Sequence, residues 1–389
     1  MASSHKVLAS PHEVPAGPSQ REHWADNLRV LVIAVVVVFH TAGAYAGAAP
    51  GGTHWVYTAP STSKVLTAAF SPALVLAPFA LGPLFLVAGS FSARSLAHKG
   101  AGAFARTRLL RLAVPLIVYM FLIDRLAEYL GDLGQGRHPS LAEYWGVPPQ
   151  SGGPYATGPL WFVAALLAFS LAYALLRRVH PAPVAGRWSG AQAMVAAAVL
   201  IAMTAFVVWQ RWPLGNASSF AHLRWDYWPQ GAVLFALGVW AGEAKSLEDL
   251  TAWAPRLGWT ALAATAVFVA VGVYEKVHGH LASALHGTNW VAMGGAVLYG
   301  IISVAFAVWF TALIRARWSG DGPLRARAGR ASYATYVLHP VLLTAIMVLF
   351  ASVALAPELE FLVVAVVAVP VCFLAGYAAT RVPGISKAL

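Results

Sequence analysis

RVLVIAVVVVFH, residues 29–40, places an uninterrupted apolar run between an arginine and a histidine. Residues eleven positions apart on an α-helix return to nearly the same side, because each turn takes about 3.6 residues. Arg29 and His40 therefore share one helix face and lie about 16 Å apart along its axis. Ionisable residues within a membrane helix are costly and usually face a bundle interior or a wet cavity. The segment thus predicts a reaction site inside a membrane helix bundle.

The composition is typical of a membrane protein. The 389 residues are 59% hydrophobic and 11% charged, with a mean hydropathy of +0.66, whereas a soluble domain carries about 25% charged residues. The formal net charge of +11 does not indicate a nucleic-acid partner, because the basic residues lie in short loops between apolar runs. Cys372 is the single cysteine, which excludes an internal disulfide framework and a cysteine-based zinc cluster.

Several apolar runs approach the roughly 20 residues that a membrane-spanning helix needs. The second of them contains Pro72, Pro78 and Pro83, which predicts a kinked or broken helix. We therefore predict an all-α polytopic membrane bundle of about ten transmembrane helices, at 28–48, 66–93, 109–130, 159–177, 191–209, 228–242, 258–275, 289–314, 331–353 and 359–380.

The basic residues predict how the bundle is oriented. Most of the 26 lysines and arginines fall in segments that are cytoplasmic if the N-terminus is inside, which favours an N-in, C-in protein of the plasma membrane. Residues 1–23 are polar, rich in Pro, Ser and His, and carry no cleavable signal, so we expect a disordered cytoplasmic tail. Residues 24–382 then form the transmembrane domain, and 383–389 a short cytoplasmic tail.

Two histidines are the first candidates for chemistry. His40 sits near mid-membrane, where the alternative to a functional role is a bond to a neighbouring helix. His339 lies in SYATYVLHPVLL, at a similar depth. It precedes Pro340, which frees a backbone carbonyl, so it either serves the site or only satisfies that carbonyl. Arg29 could likewise snorkel to the interface instead of binding a substrate.

A basic segment leading into the third span contains Arg106, Arg108 and Arg111. Arg108 and Arg111 are three residues apart at the predicted start of a helix, so they share a face. Guanidinium groups bind phosphates through paired hydrogen bonds, so these residues are candidates for a phosphate-bearing donor. Ordinary positive-inside anchoring is the alternative. Further along this span, Asp124 and Glu128 lie one turn apart and either orient a hydroxyl-bearing acceptor or form a rim salt bridge.

Two motifs are set aside. Gly100, Gly102 and Ala105 spell G-x-G-x-x-A, but no βαβ unit surrounds them. His278, His280 and His286 occupy one loop without an evident carboxylate or cysteine partner, which favours a solvated loop over a metal site. We expect no resident metal or cofactor.

The ordered set of motifs resembles the acyltransferase 3 family of membrane O-acyltransferases over roughly residues 24–380. The matching motifs are Arg29 and His40, Arg108 and Arg111 followed by Pro115, Trp161 and Phe162, and Tyr333, Tyr336 and His339 before Pro340. The family's Ser-Gly-Phe in the second span is replaced here by Ala88, Gly89, Ser90 and Phe91, which weakens any role for that serine.

This resemblance implies an acyl-CoA donor on the cytoplasmic side and a hydroxyl acceptor. Acetyl is the expected acyl group, and longer or dicarboxylic acyl groups are left open. The acceptor classes left open are glycans, glycolipids and secondary metabolites, and neither its side of entry nor the oligomeric state is encoded. His40 is the expected general base, because a neutral imidazole can take the alcohol proton. Arg29, Arg106, Arg108 and Arg111 would hold the donor, and Trp161, Asp124 and Glu128 are acceptor-side candidates. His339 would stabilise the oxyanion, orient the donor or bond His40.

Two other classes of protein compete with this interpretation. Buried His and Arg residues and a broken second span also occur in proton-coupled secondary transporters, although no internal repeat is evident. A scaffold protein is the other alternative, because Gly43-x-x-x-Gly47 and Gly238-x-x-x-Gly242 permit close helix packing.

Overall fold

A computed structural model describes residues 22–47, 59, 62–146, 156–181, 188–215, 221–244 and 247–384. Within these ranges all regular structure is helical, as predicted. The α-helices are α1 (His23–Tyr45), α2 (Lys64–Ala80), α3 (Gly82–Lys99), α4 (Ala101–Arg108), α5 (Val114–Val118), α6 (Asp124–Gly134), α7 (Leu141–Gly146), α8 (Trp161–Val179), α9 (Gly190–Trp209), α10 (Trp228–Ala244), α11 (Leu247–Thr251), α12 (Ala254–Val277), α13 (Leu281–His286), α14 (Trp290–Arg317), α15 (Pro323–Phe350) and α16 (Pro357–Ala379). The predicted tail 1–23 lies almost wholly outside the described residues, and α1 already begins at His23.

The chain is an integral membrane protein. Among the described residues, eight helices are long and apolar enough to cross a membrane: α1, Leu76–Lys99, Gly158–Val179, α9, α12, α14, α15 and α16. Two further predicted spans are also helical. One is an interrupted helix over 101–134, and the other is α10, which has 17 residues. The total of ten spans and the N-in, C-in orientation stay predictions.

Contacts between helix ends define two ends of the bundle. Glu22, just before α1, forms an ion pair with Arg94 near the end of α3, with N···O 2.6 Å. Asn27 donates to the carbonyl of Trp318, directly after α14. We call this the proximal end. At the distal end, Tyr45 at the end of α1 donates to Glu360 at the start of α16, with O···O 2.9 Å.

The predicted break in the second span is confirmed at Leu81, between α2 and α3. A break leaves backbone carbonyls that water cannot satisfy within a membrane. The buried amide of Gln230 on α10 donates to the carbonyl of Pro78 across 3.0 Å. The same side chain accepts a 2.7 Å hydrogen bond from the Tyr299 hydroxyl. Gln230 therefore replaces the helical bond that the break removes.

Glycines bring α3 and α10 into backbone contact. A Cβ atom at Gly89 would lie 2.1 Å from the carbonyl oxygen of Phe235, and one at Gly238 would lie 2.0 Å from that of Leu86. Gly242 is similarly close to the backbone of Ser90. Only residues without side chains permit this approach, so the Gly238-x-x-x-Gly242 spacing serves close packing as the sequence indicates. The replaced Ser-Gly-Phe motif thus retains its packing glycine.

The helix over 101–134 contains two π-helical turns, at Leu109–Ala113 and Tyr119–Ile123. In the first, the backbone N–H of Val114 donates to the carbonyl of Leu109, five residues back. Each insertion rotates the residues that follow, and such turns are frequent at functional sites. Arg111 lies within the first turn, and Asp124 directly follows the second. Arg108 and Arg111 are therefore inside a long helix and not at its start.

Candidate active site

The two predicted histidines are in contact. His40 on α1 and His339 on α15 have ring centroids 5.6 Å apart, with 26° between the ring planes. His40 is 8% exposed, and His339 is fully buried. Helices α1 and α15 pack directly against each other, which holds both rings at the same depth. The fold therefore joins two motifs that are about 300 residues apart in the chain.

Pro340 explains how the ring of His339 is oriented. Proline has no N–H, so the carbonyl of Tyr336, four residues earlier, loses its helical donor. The Nδ1 atom of His339 lies 2.7 Å from that carbonyl oxygen. This bond requires the proton on Nδ1 and leaves the lone pair of a neutral ring on Nε2. His339 thus satisfies the freed carbonyl, as one of the two interpretations anticipated, and gains a defined tautomer.

Tyr336 extends the histidine pair towards α8. Its ring stacks on His339, with centroids 5.6 Å apart and 23° between the planes. Its hydroxyl donates to the carbonyl of Pro159. Pro159 lies in a turn of 3₁₀ helix opened by Gly158, whose φ of 46° favours glycine. The turn leads directly into Trp161 at the start of α8, where the sequence placed the opening of this span.

A cavity of about 600 Å³ begins at this cluster. Its wall includes His40, Tyr336, Pro159 and Trp161, and it extends to Lys276 near the end of α12. It also reaches α13 and the first turns of α14, which belong to the distal end because α14 runs back to the proximal end. Trp161, an acceptor-side candidate, therefore lies on the wall that His40 also faces.

Three of the predicted arginines gather near the proximal end. Arg108 donates to the hydroxyl of Ser92 on α3 across 2.8 Å, and its guanidinium lies 5.0 Å from the ring centroid of Phe104. Arg111 lies three residues further along the helix over 101–134, and Arg29 lies in the second turn of α1 near the same end of the bundle. Arg29 is also paired with Asp26, with N···O 2.8 Å, and its side chain is 42% exposed. This arginine cluster of Arg29, Arg108 and Arg111 is suited to an anionic ligand.

Arg106 and the two acidic candidates, Asp124 and Glu128, are not part of the arginine cluster. Arg106 is exposed and sits two residues before Arg108, so it points to another side of the helix. Asp124 is buried and accepts a 3.0 Å hydrogen bond from Tyr119.

Glu128, on α6, belongs to a separate network with Arg125 and Tyr144. It is paired with Arg125 and accepts a hydrogen bond from the Tyr144 hydroxyl, each across 3.2 Å. Burial and the Glu128 carboxylate raise the pKa of Tyr144 above its ordinary value, so the phenol stays a donor. Neither Asp124 nor Glu128 lines the cavity.

Sequence reasoning missed a buried ion pair whose arginine lines the cavity. Arg224 donates from Nε and Nη2 to the two carboxylate oxygens of Asp226, across 3.0 and 2.7 Å. Its guanidinium lies 3.9 Å from the ring centroid of Tyr227. Ala221, His222 and Arg224 all have positive φ angles near 50°, a conformation that non-glycine residues rarely hold. The Arg-x-Asp spacing alone is too common to have signalled this site.

Within the part of the chain that the structure describes, no three His, Cys, Asp or Glu side chains come together as a group able to hold a metal ion. The loop histidine His280 approaches Glu275, with N···O 3.8 Å, but these two are not joined by a third such ligand.

The chain was also compared with known proteins. Residues 22–377 match the sequence model of a family described as "Acyltransferase domain". Comparisons with curated proteins and with solved structures give no match. The matched range covers the histidine pair, the arginine cluster and all helices that line the cavity.

Proposed function

From the premise that this chain belongs to the acyltransferase 3 family, and is thus a membrane-embedded acyltransferase, we propose that it moves an acyl group from cytoplasmic acyl-CoA to a hydroxyl acceptor. Acetyl is the proposed acyl group. The observation that carries the proposal is the position of His40. It faces a cavity large enough for an acceptor, stacks on a second histidine, and shares its helix with a member of the arginine cluster.

The arginine cluster is the proposed donor site. Coenzyme A carries phosphates, and Arg108 and Arg111 offer guanidinium groups to them at the proximal end. Arg29 lies about 16 Å from His40 along α1. An extended pantetheine arm is suited to bridging this separation, with the thioester at the histidine pair. The cavity leads from His40 towards the opposite end, so the acceptor is proposed to approach from the distal side.

His40 is the proposed general base. A thioester has a good leaving group, so the difficult step is loss of the proton from the attacking alcohol. The hydroxyl oxygen forms a bond to the thioester carbonyl carbon while His40 takes its proton. The tetrahedral intermediate then breaks its C–S bond, and the CoA thiolate recovers the proton from the imidazolium. His339, fully buried behind His40, is proposed as a positioning residue.

The test is a comparison of cells that carry the protein, its His40→Ala variant or no copy of the gene. Mass spectrometry of their glycans, lipids and small molecules should reveal species heavier by one acyl group only with the wild-type protein. Removal of a general base typically costs about 10²- to 10⁴-fold in rate. His278→Ala, which alters an exposed loop histidine, is the matched control and should keep the product. Undiminished product in membranes that contain folded His40→Ala would refute the role of His40.

A further inference from the structure

Polar and apolar side chains are unevenly distributed over the cavity wall. Among the described residues, its polar side chains are His40, Ser71, Arg224 and Lys276, with the N–H of Trp161 and the hydroxyls of Tyr227 and Tyr336. The long wall formed by α12 contributes Phe268, Val269, Val271, Gly272 and Val273, none of which has a hydrogen-bonding side chain. Helix α14 adds Val291, Gly295 and Leu298. Apart from Lys276, the wall residues of α12 and α14 are therefore apolar, and the polar side chains come from other helices and from the segment before α10.

This wall distinguishes between the acceptor classes that the sequence leaves open. A sugar ring carries hydroxyls around its whole edge, and hydroxyls that enter an apolar wall lose their water without gaining partners. An apolar body gains free energy from the same burial. A volume of about 600 Å³ lies in the range of pockets that enclose a compact small molecule, about 300–1,000 Å³.

Among the described residues, α2 and α12 both contribute exposed side chains to the cavity wall. Ala68 of α2 and Val271 and Val273 of α12 line the cavity and are themselves exposed. Helix α12 is apolar, and only 11% of its most apolar window is buried within the bundle, so it borders the lipid. A cavity wall formed by a helix that borders the lipid suits the entry of an apolar molecule from the membrane.

We propose that the acceptor is an amphiphilic alcohol, with its apolar body between α2, α12 and α14 and its reacting hydroxyl at His40. Arg224, which also lines the cavity, donates two hydrogen bonds to Asp226 and orients a second polar group of the acceptor. This inference rests on the proposed acyl transfer for its chemistry. The binding of an apolar alcohol in the cavity is measurable without any transfer.

The experiment uses the full chain in lipid nanodiscs, without acyl-CoA, and photoreactive alcohols as probes. One probe has a straight alkyl chain and the other a compact polycyclic body, which separates a lipid-like from a small-molecule source. A soluble oligosaccharide rich in hydroxyls is the competitor. Labelled sites are mapped by mass spectrometry, with the exposed, lipid-facing Leu262 of α12 as the reference for non-specific labelling.

Two glycines supply a matched pair of variants. A Cβ atom at Gly272 or at Gly294 meets no heavy atom within 4 Å, so each site has room for a side chain. Gly272 lines the cavity, whereas Gly294 is exposed and does not. Gly272→Trp should fill the cavity and Gly294→Trp should leave it open. Gly295→Leu, also on the wall and 3.9 Å from Phe268, replaces Gly272→Trp if the latter does not fold.

We expect saturable labelling of Phe268 and Leu298 by at least one probe. It should fall at least tenfold in Gly272→Trp and stay unchanged in Gly294→Trp. The inference is overturned if cavity labelling is no more saturable than that of Leu262, if Gly272→Trp leaves it intact, or if the oligosaccharide displaces the probe. Retained transfer by His40→Ala would instead refute the catalytic proposal while the binding result stands.

Discussion

Replacing Gly238 by alanine tests the contact that holds the centre of the bundle together. The new Cβ atom would lie 2.0 Å from the carbonyl oxygen of Leu86, which belongs to the backbone of α3 and cannot rotate away. Close carbon–oxygen contacts between helices are about 3.3–3.6 Å. The two helices must therefore separate locally by more than about 1 Å, or α3 must bend.

The free energies give the expected sign. Overpacking of a filled interface costs typically about 1–3 kcal/mol, and alanine recovers up to about 1 kcal/mol of helix propensity relative to glycine. The net destabilisation is about 1–2 kcal/mol. Because 1 kcal/mol shifts the Tm of a chain of 150–250 residues by about 2–4 °C and that of a chain of 389 residues by about 1 °C, we expect the apparent Tm to fall by about 1–2 °C.

The protein carries its own reporter for this measurement. Cys372 is the single cysteine and is fully buried, so a thiol-reactive fluorophore reports unfolding as the sulfur becomes exposed. Gly294→Ala is the control, because its new Cβ atom meets open space and only the gain in helix propensity remains. Its apparent Tm should rise or stay constant. An apparent Tm for Gly238→Ala at or above the wild-type value would refute the backbone contact between α3 and α10.

Two further substitutions test the supports of the proposed site. Ser92→Ala removes the hydroxyl that accepts from Arg108. A hydrogen bond to a charged group is worth about 1.5–3 kcal/mol and about 1.4 kcal/mol is tenfold, so we expect the KM for acyl-CoA to rise by about tenfold or more, with little change in the KM for the acceptor. An effect confined to the acceptor would assign Arg108 to another role. Gln230→Leu leaves the buried carbonyl of Pro78 and the hydroxyl of Tyr299 without their partner amide. Hydrogen bonds between membrane helices contribute about 0.6 kcal/mol each in double-mutant cycles, so we expect a loss of about 1 kcal/mol of stability in the thiol-exposure assay. Unchanged stability would show that the break between α2 and α3 does not depend on α10.

Much of the fold follows from local sequence patterns. An apolar run of about 20 residues has few options in a membrane other than a helix, because its backbone must satisfy its own hydrogen bonds. The break near Leu81 follows from Pro78 and Pro83 for the same local reason. The structure departs in part from the predicted regular helix over 101–134, where two π-helical turns interrupt the helix. Apolar periodicity does not distinguish a π turn from an α turn, so this feature was not predictable.

The residues of the candidate site likewise fall into those that the sequence identified and those that only the structure revealed. The sequence identified His40, Arg29 and His339, because an ionisable side chain in an apolar run costs free energy to bury in a membrane and is therefore rare without a function. Even the bond from His339 to Tyr336 follows from one local fact, the missing N–H of Pro340. Arg224 gave no such signal, because an arginine in a loop is ordinary until the chain buries it.

The sequence by itself determined that this chain is a helical membrane protein, which residues are ionisable within it, and which family motifs it carries. Only the tertiary structure decided that His40 meets His339, that Ser92 holds Arg108, and that the cavity wall along α12 is apolar. The physical reason is the distance along the chain over which each kind of interaction acts. Hydrophobicity and backbone hydrogen bonding act within a helix and can be read along the chain, whereas a site is made by side chains from distant helices whose packing no local pattern specifies.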